Sequence, residues 1–150
     1  MENENDLCVV VHRAIAYVAQ ESSVICDTAL EGGDINVLAK DVLRGMRTHL
    51  STPSIFASLR TLRKLQEMVK NAANAYEEGD VAFKAPKTKR GSVNYTMGSI
   101  YTTLVKRVYK KVGRSMASDR LDSNPYEDIS NYLDAIIGYI AKKQFGINIK

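Results

Sequence analysis

Nine lysines and arginines lie between Val81 and Ser118 with no acidic residue among them: Lys84, Lys87, Lys89, Arg90, Lys106, Arg107, Lys110, Lys111 and Arg114. Side chains gathered in this way can neutralise the phosphates of a polyanion, a chemistry that gives affinity and register more than sequence choice. All seventeen carboxylates lie outside the window, twelve of them before Val81. The formal charge of +4 therefore conceals a dipolar chain, in which residues 1–80 sum to −4 and residues 81–150 to +8. A segregated positive field attracts polyanions without specifying a fold.

The spacing sharpens the reading. Positions 106/110, 107/111 and 107/114 share one side of a helix. Like charges at that spacing cost helix stability, about a few tenths of a kcal/mol per pair. Nothing acidic within the window offsets the repulsion, so an external anion is expected to. Tyr95, Tyr101 and Tyr109 are interleaved and could stack on unpaired bases, although Tyr101 falls on the apolar stripe and is expected in the core. If about six of the cations each meet a phosphate, log K should fall against log salt with a slope near −5. No zinc-finger spacing, aromatic RNP strand or GXXG loop accompanies the charge. Lys89-Arg90-Gly91-Ser92 has the look of a basophilic kinase target, and Pro86–Arg90 that of a nuclear address; both patterns are short and common.

Catalytic chemistry is hard to assemble. The two histidines, His12 and His49, are far apart, and no GxSxG, HExxH, P-loop or GxGxxG pattern occurs. His12 borders the first apolar stripe, where a partly buried, satisfied histidine is expected. Asp119, Asp122, Glu127 and Asp128 precede or open the last helix, where carboxylates favour the helix dipole more often than a metal. Cys8 and Cys26 offer no zinc spacing. On one helix they stand about 27 Å apart and cannot bond, so two reduced thiols in an apolar stripe are expected. Arg44 and His49 resemble the Arg-x4-His pair of the HEPN ribonucleases, which are small helical bundles. Gly45 stands where that family commonly has a polar residue, and five residues turn about 140° around a helix, so the two side chains diverge. No enzyme, metal site or cofactor is expected.

Chain length fits one domain, residues 1–150, with enough apolar content for a core. The opening MENENDL is too acidic for a targeting peptide, and no apolar run reaches the roughly 18–20 residues needed to cross a bilayer. An intracellular protein, cytoplasmic or nuclear, with no membrane partner is expected.

The periodicity predicts an all-α bundle of five or six mostly antiparallel helices. The first starts after Asn5 or Asp6, is bent or broken at Glu21-Ser22-Ser23, and ends at Gly32-Gly33. Asp34 caps the second, and Ser51-Thr52-Pro53 opens the third, which ends near Gly79 and carries Arg60, Arg63, Lys64 and Lys70 as a weaker basic surface. One long basic loop follows, about residues 79–92. The fourth helix spans roughly Asn94 to Val112 and is closed by Gly113. Asn124-Pro125 opens the last, which Phe145-Gly146 ends.

Two functions suit this frame. The first is a non-enzymatic nucleic-acid-binding protein, RNA or DNA, using the nine cations named above. Its acidic half could meet the basic half of a neighbouring copy to give a homo-oligomer. The second is a helical interaction module that grips a partner's helix or acidic segment, an architecture similar to that of small adaptors and of Bcl-2-like viral host-interaction proteins. A flat positive face would fit the first; an exposed apolar groove between helices would fit the second.

Overall fold

Four helices begin where a side-chain oxygen takes up their first free backbone N–H groups. A computed structural model describes residues 6–78, 93–116 and 124–148, with side chains in the 93–116 stretch described at 96–108, 110 and 111. The helices are α1 (Leu7–Glu31), α2 (Ile35–His49), α3 (Thr52–Glu77), α4 (Val93–Met116) and α5 (Pro125–Phe145), with no strand among the described residues. Asp6 accepts from the N–H groups of Cys8 and Val9, Asp34 from Asn36 and Val37, Ser51 from Ser54, and Asn124 from Tyr126 and Glu127. Such caps are each worth about 1 kcal/mol. Gly32 and Gly146, at φ 72° and 68°, end α1 and α5 in the left-handed conformation that lets the following N–H groups turn back onto Thr28 and Ala141.

Two expected interruptions are absent. α1 runs unbroken through Glu21-Ser22-Ser23, because the buried Ser22 hydroxyl donates to Ala19 O at 2.9 Å and needs no partner off the helix. α4 continues through Gly113 to Met116. A glycine in a helix costs only about 1 kcal/mol relative to alanine, too little to stop a segment held by packing. Cys8 and His12 are exposed, not part of the buried stripe, while Cys26 is fully buried. The long basic loop at 79–92 lies outside the described residues.

Helix directions follow from the cross-contacts. Tyr17 meets Val42, so α1 and α2 are antiparallel. α3 and α5 are antiparallel through Asn124–Ala73, Arg63–Asp134 and Phe56–Phe145. α2 and α5 run in the same sense, with Tyr132 on Gly33 and Arg47 on Gln144. α1, α3 and α4 share the opposite sense.

Helix α5 is the axis. Tyr126, Ile129, Leu133, Ile136, Ile137 and Ile140 repeat every three or four residues and are essentially inaccessible, packed against α1, α2 and α3. α4 leans chiefly on α1 and α3 through Met97, Tyr101, Leu104 and Val108, also buried. Tyr101 thus lies in the core, as its place on the stripe predicts.

Two polar contacts fix the packing. The Asn124 side chain caps α5 and also donates to Ala73 O (2.8 Å) and Glu77 Oε1 (3.0 Å), pinning the start of α5 to the end of α3. The buried Tyr17 hydroxyl donates to Val42 O at 3.0 Å, and a Cβ at Gly45 would collide with that hydroxyl. Burial, aided by Glu21, pushes the Tyr17 phenol up to about 12, so it stays a neutral donor.

Asn124→Ala should lower unfolding stability by about 2 kcal/mol, since the cap and the tie to α3 go together; urea denaturation with unchanged slope checks this. Gly45→Ala should destabilise the wild type but cost clearly less when combined with Tyr17→Phe, which removes the colliding oxygen; a double-mutant cycle reads that coupling.

Candidate functional site

The cations of the fourth helix are not left without acidic neighbours. The Arg107 guanidinium grips Asp27 in a fork, Nη2 to Oδ2 at 2.6 Å and Nε to Oδ1 at 3.2 Å. One turn on, Lys111 Nζ lies 3.6 Å from Glu31. Asp27 and Glu31 are four residues apart on α1, as Arg107 and Lys111 are on α4, so two parallel helices match rung for rung. The repulsion expected to call for an external anion is offset in part from within: carboxylates outside the basic window in sequence lie against Arg107 and Lys111 in space. Lys106 and Lys110 are exposed and have no ion-pair partner among the described residues. Lys84, Lys87, Lys89 and Arg90 lie outside the described residues, as do the side chains of Arg114, Tyr95 and Tyr109.

Beneath this contact sits Cys26. Burial first, and the Asp27 carboxylate second, push its thiol up to about 12, so it stays protonated within the core.

A concave feature lies on the three parallel helices. It is a half-open groove of about 490 Å³ between α1, α3 and α4. Val11 and Ile15 of α1, Ala57 of α3 and Met97 of α4 supply its apolar lining. Val11/Ile15 and Ala57/Thr61 are each one helical turn apart, so each helix presents one edge to the groove. The Thr61 hydroxyl donates back to Ala57 O at 3.0 Å and demands nothing from an occupant. Arg60, Arg63 and Lys64 stand along the α3 side with Glu67, giving a net positive wall.

These cations differ in their commitments. Arg63 donates to Asp134 Oδ1 at 3.0 Å and to Gln66, and Gln66 donates to Ser130 O at 3.3 Å across the α3–α5 contact. The hydrogen bond from Arg63 holds the Asp134 carboxyl below its ordinary value. Arg60 is exposed and has no ion-pair partner among the described residues. The α3 basic surface was legible in sequence; its place beside an apolar groove was not.

The Arg44/His49 pair does not converge. Arg44 is bound to Asp41 at 3.1 Å, whereas the exposed His49 acts on Glu21, whose carboxyl is raised by burial and partly lowered again by that imidazole. Among the described residues no group of three or more His, Cys, Asp or Glu side chains could hold a metal ion, and no helix is long and apolar enough to cross a membrane.

No protein-family model, curated protein or solved structure matches the chain.

Asp134 supplies a pH test. Its folded pKa is depressed, so its contribution to stability is complete above the ordinary aspartate value of 3.8 and is lost as pH falls through the lower folded value. Asp134→Asn should therefore be less stable than wild type near pH 7, and the gap should narrow as the pH is taken below 3.8. Denaturant melts at a series of pH values check this.

Proposed function

We propose that this chain is a non-enzymatic helical interaction module that takes the apolar side of a partner's helix or acidic segment into the α1/α3/α4 groove. One observation carries the reading: an apolar lining of Val11, Ile15, Ala57 and Met97 beside the cationic wall of Arg60, Arg63 and Lys64. A volume near 490 Å³ falls in the range of specific binding sites. An amphipathic helix laid in a groove is read through anchors at i, i+3, i+4 and i+7, and the apolar pair Val11/Ile15, one turn apart on α1, suits that register.

The test is a selection of amphipathic helical peptides, displayed as a randomised library, on the full chain. It is followed by fluorescence anisotropy on the wild type, Ile15→Asp and Ala57→Gln. Both substitutions place a polar group on the groove lining. Each should weaken the selected peptides about tenfold or more, the loss typical of a binding hot spot. Undiminished binding by variants with intact circular dichroism would remove the groove from the function.

A second reading keeps the polyanion, RNA or DNA, at the α4 face. Its support is that Lys106 and Lys110 stay exposed, without an acidic partner among the described residues. Under it, Lys106→Gln with Lys110→Gln should weaken binding to labelled RNA or DNA and flatten its salt slope. Asp27→Asn with Glu31→Gln should do the reverse, tightening binding by releasing Arg107 and removing two negative charges beside the face. Losing those two exposed pairs should cost little stability. Anisotropy across a salt series, on all three proteins, decides it.

A further inference from the structure

We infer that Arg60 is the residue that reads the partner's acidic group, pairing its guanidinium with an Asp or Glu carboxylate carried beside the partner's apolar anchors. The inference rests on the groove reading above and gives it a specificity determinant. Three cations stand on the α3 wall within little more than one turn, yet they are not equivalent: Lys64 and Arg63 both have interactions of their own. Arg63 already has a carboxylate: it is tied to Asp134 and Gln66, and through Gln66 to the backbone of Ser130. Taking a second anion would leave Asp134 without its cation, so Arg63 serves the α3–α5 contact. Arg60 lines the groove, is exposed, and has no carboxylate partner among the described residues. It also follows Ala57 by three residues and so lies one turn along the same edge of α3. A helix seated on the apolar lining would carry its flanking side chains into reach of Arg60.

The chemistry favours a carboxylate over other acceptors. A guanidinium presents a planar fork of donors that matches both oxygens of a carboxylate, as Arg107 does with Asp27 in this same molecule. Glu67, also on the groove, would disfavour an anion further along α3, which places the partner's acid toward the Ala57 end. The partner is thus an amphipathic helix whose acidic residue sits next to its apolar face at one end of the contact.

The experiment uses the full chain and the peptides selected as above, each remade with every Asp and Glu changed to Asn or Gln. Wild type should bind the acidic form about tenfold more tightly than its amide form, the size of a charge-assisted pair. In Arg60→Gln that ratio should fall close to one. Arg60→Lys should restore only part of it, because a lysine offers no fork. Arg63→Gln should lower the melting temperature and change the ratio far less than Arg60→Gln does.

Peptides that depend on Ile15 and Ala57 but show no acid preference, or a preference that survives Arg60→Gln, would overturn the inference while leaving the groove in place. A selection yielding no peptide sensitive to Ile15→Asp or Ala57→Gln would overturn both.

Discussion

The arrangement of this molecule depends on the enclosure of α5. Its run of isoleucines and Leu133 is inaccessible to solvent. Burying each such side chain contributes about 1.5–3 kcal/mol, and truncating one to alanine typically costs about 2–5. A helix with so wide an apolar stripe must be surrounded, and α1, α2 and α3 do this. The polar anchors work to the same end: Asn124 ties the start of α5 to α3, and Gln66 reaches from α3 to the Ser130 carbonyl. Once those three helices are placed around α5, little of its surface is left for α4.

That constraint produces the groove. α4 packs on the outside, along α1 and α3 and in the same direction as both, so its contact with α5 is small. Parallel neighbours bring matching registers together. At one end this sets Arg107 and Lys111 on Asp27 and Glu31. Toward the other it leaves Val11, Ile15, Ala57 and Met97 around an open cleft. Electrostatics and shape are therefore coupled: the pairs that neutralise half of the described α4 cations are those that align α4 beside the groove.

This changes how the charge asymmetry should be read. Two clusters of opposite sign, far apart in sequence, look like a surface waiting for a counter-ion. Here part of each cluster is the other's counter-ion, and exposed pairs of this kind contribute little to stability while fixing register. Among the described cations of the groove wall and of the fourth helix, Arg60, Lys106 and Lys110 have no such partner.

What the sequence by itself determined is local. The helical class, the caps at Asp34 and Asn124, the hydroxyl-capped start of α3 before Pro53, the glycine stops after α1 and α5, and the burial of Tyr101 all follow from interactions within a few residues or from apolar period. The expected break at Ser22 and stop at Gly113 failed for a related reason, since each is a local cost of about 1 kcal/mol that packing outweighs. What only the tertiary structure decided is everything that depends on which helices are neighbours and in which sense they run. Asp27 is 80 residues from Arg107, and Arg63 is 71 from Asp134. No periodicity or charge count encodes those pairings, because a side chain's partner is chosen by the packing of helices around α5. The difference between an available arginine at 60 and an occupied one at 63 is of the same kind: two residues alike in chemistry and close in sequence are separated by the helix beneath them.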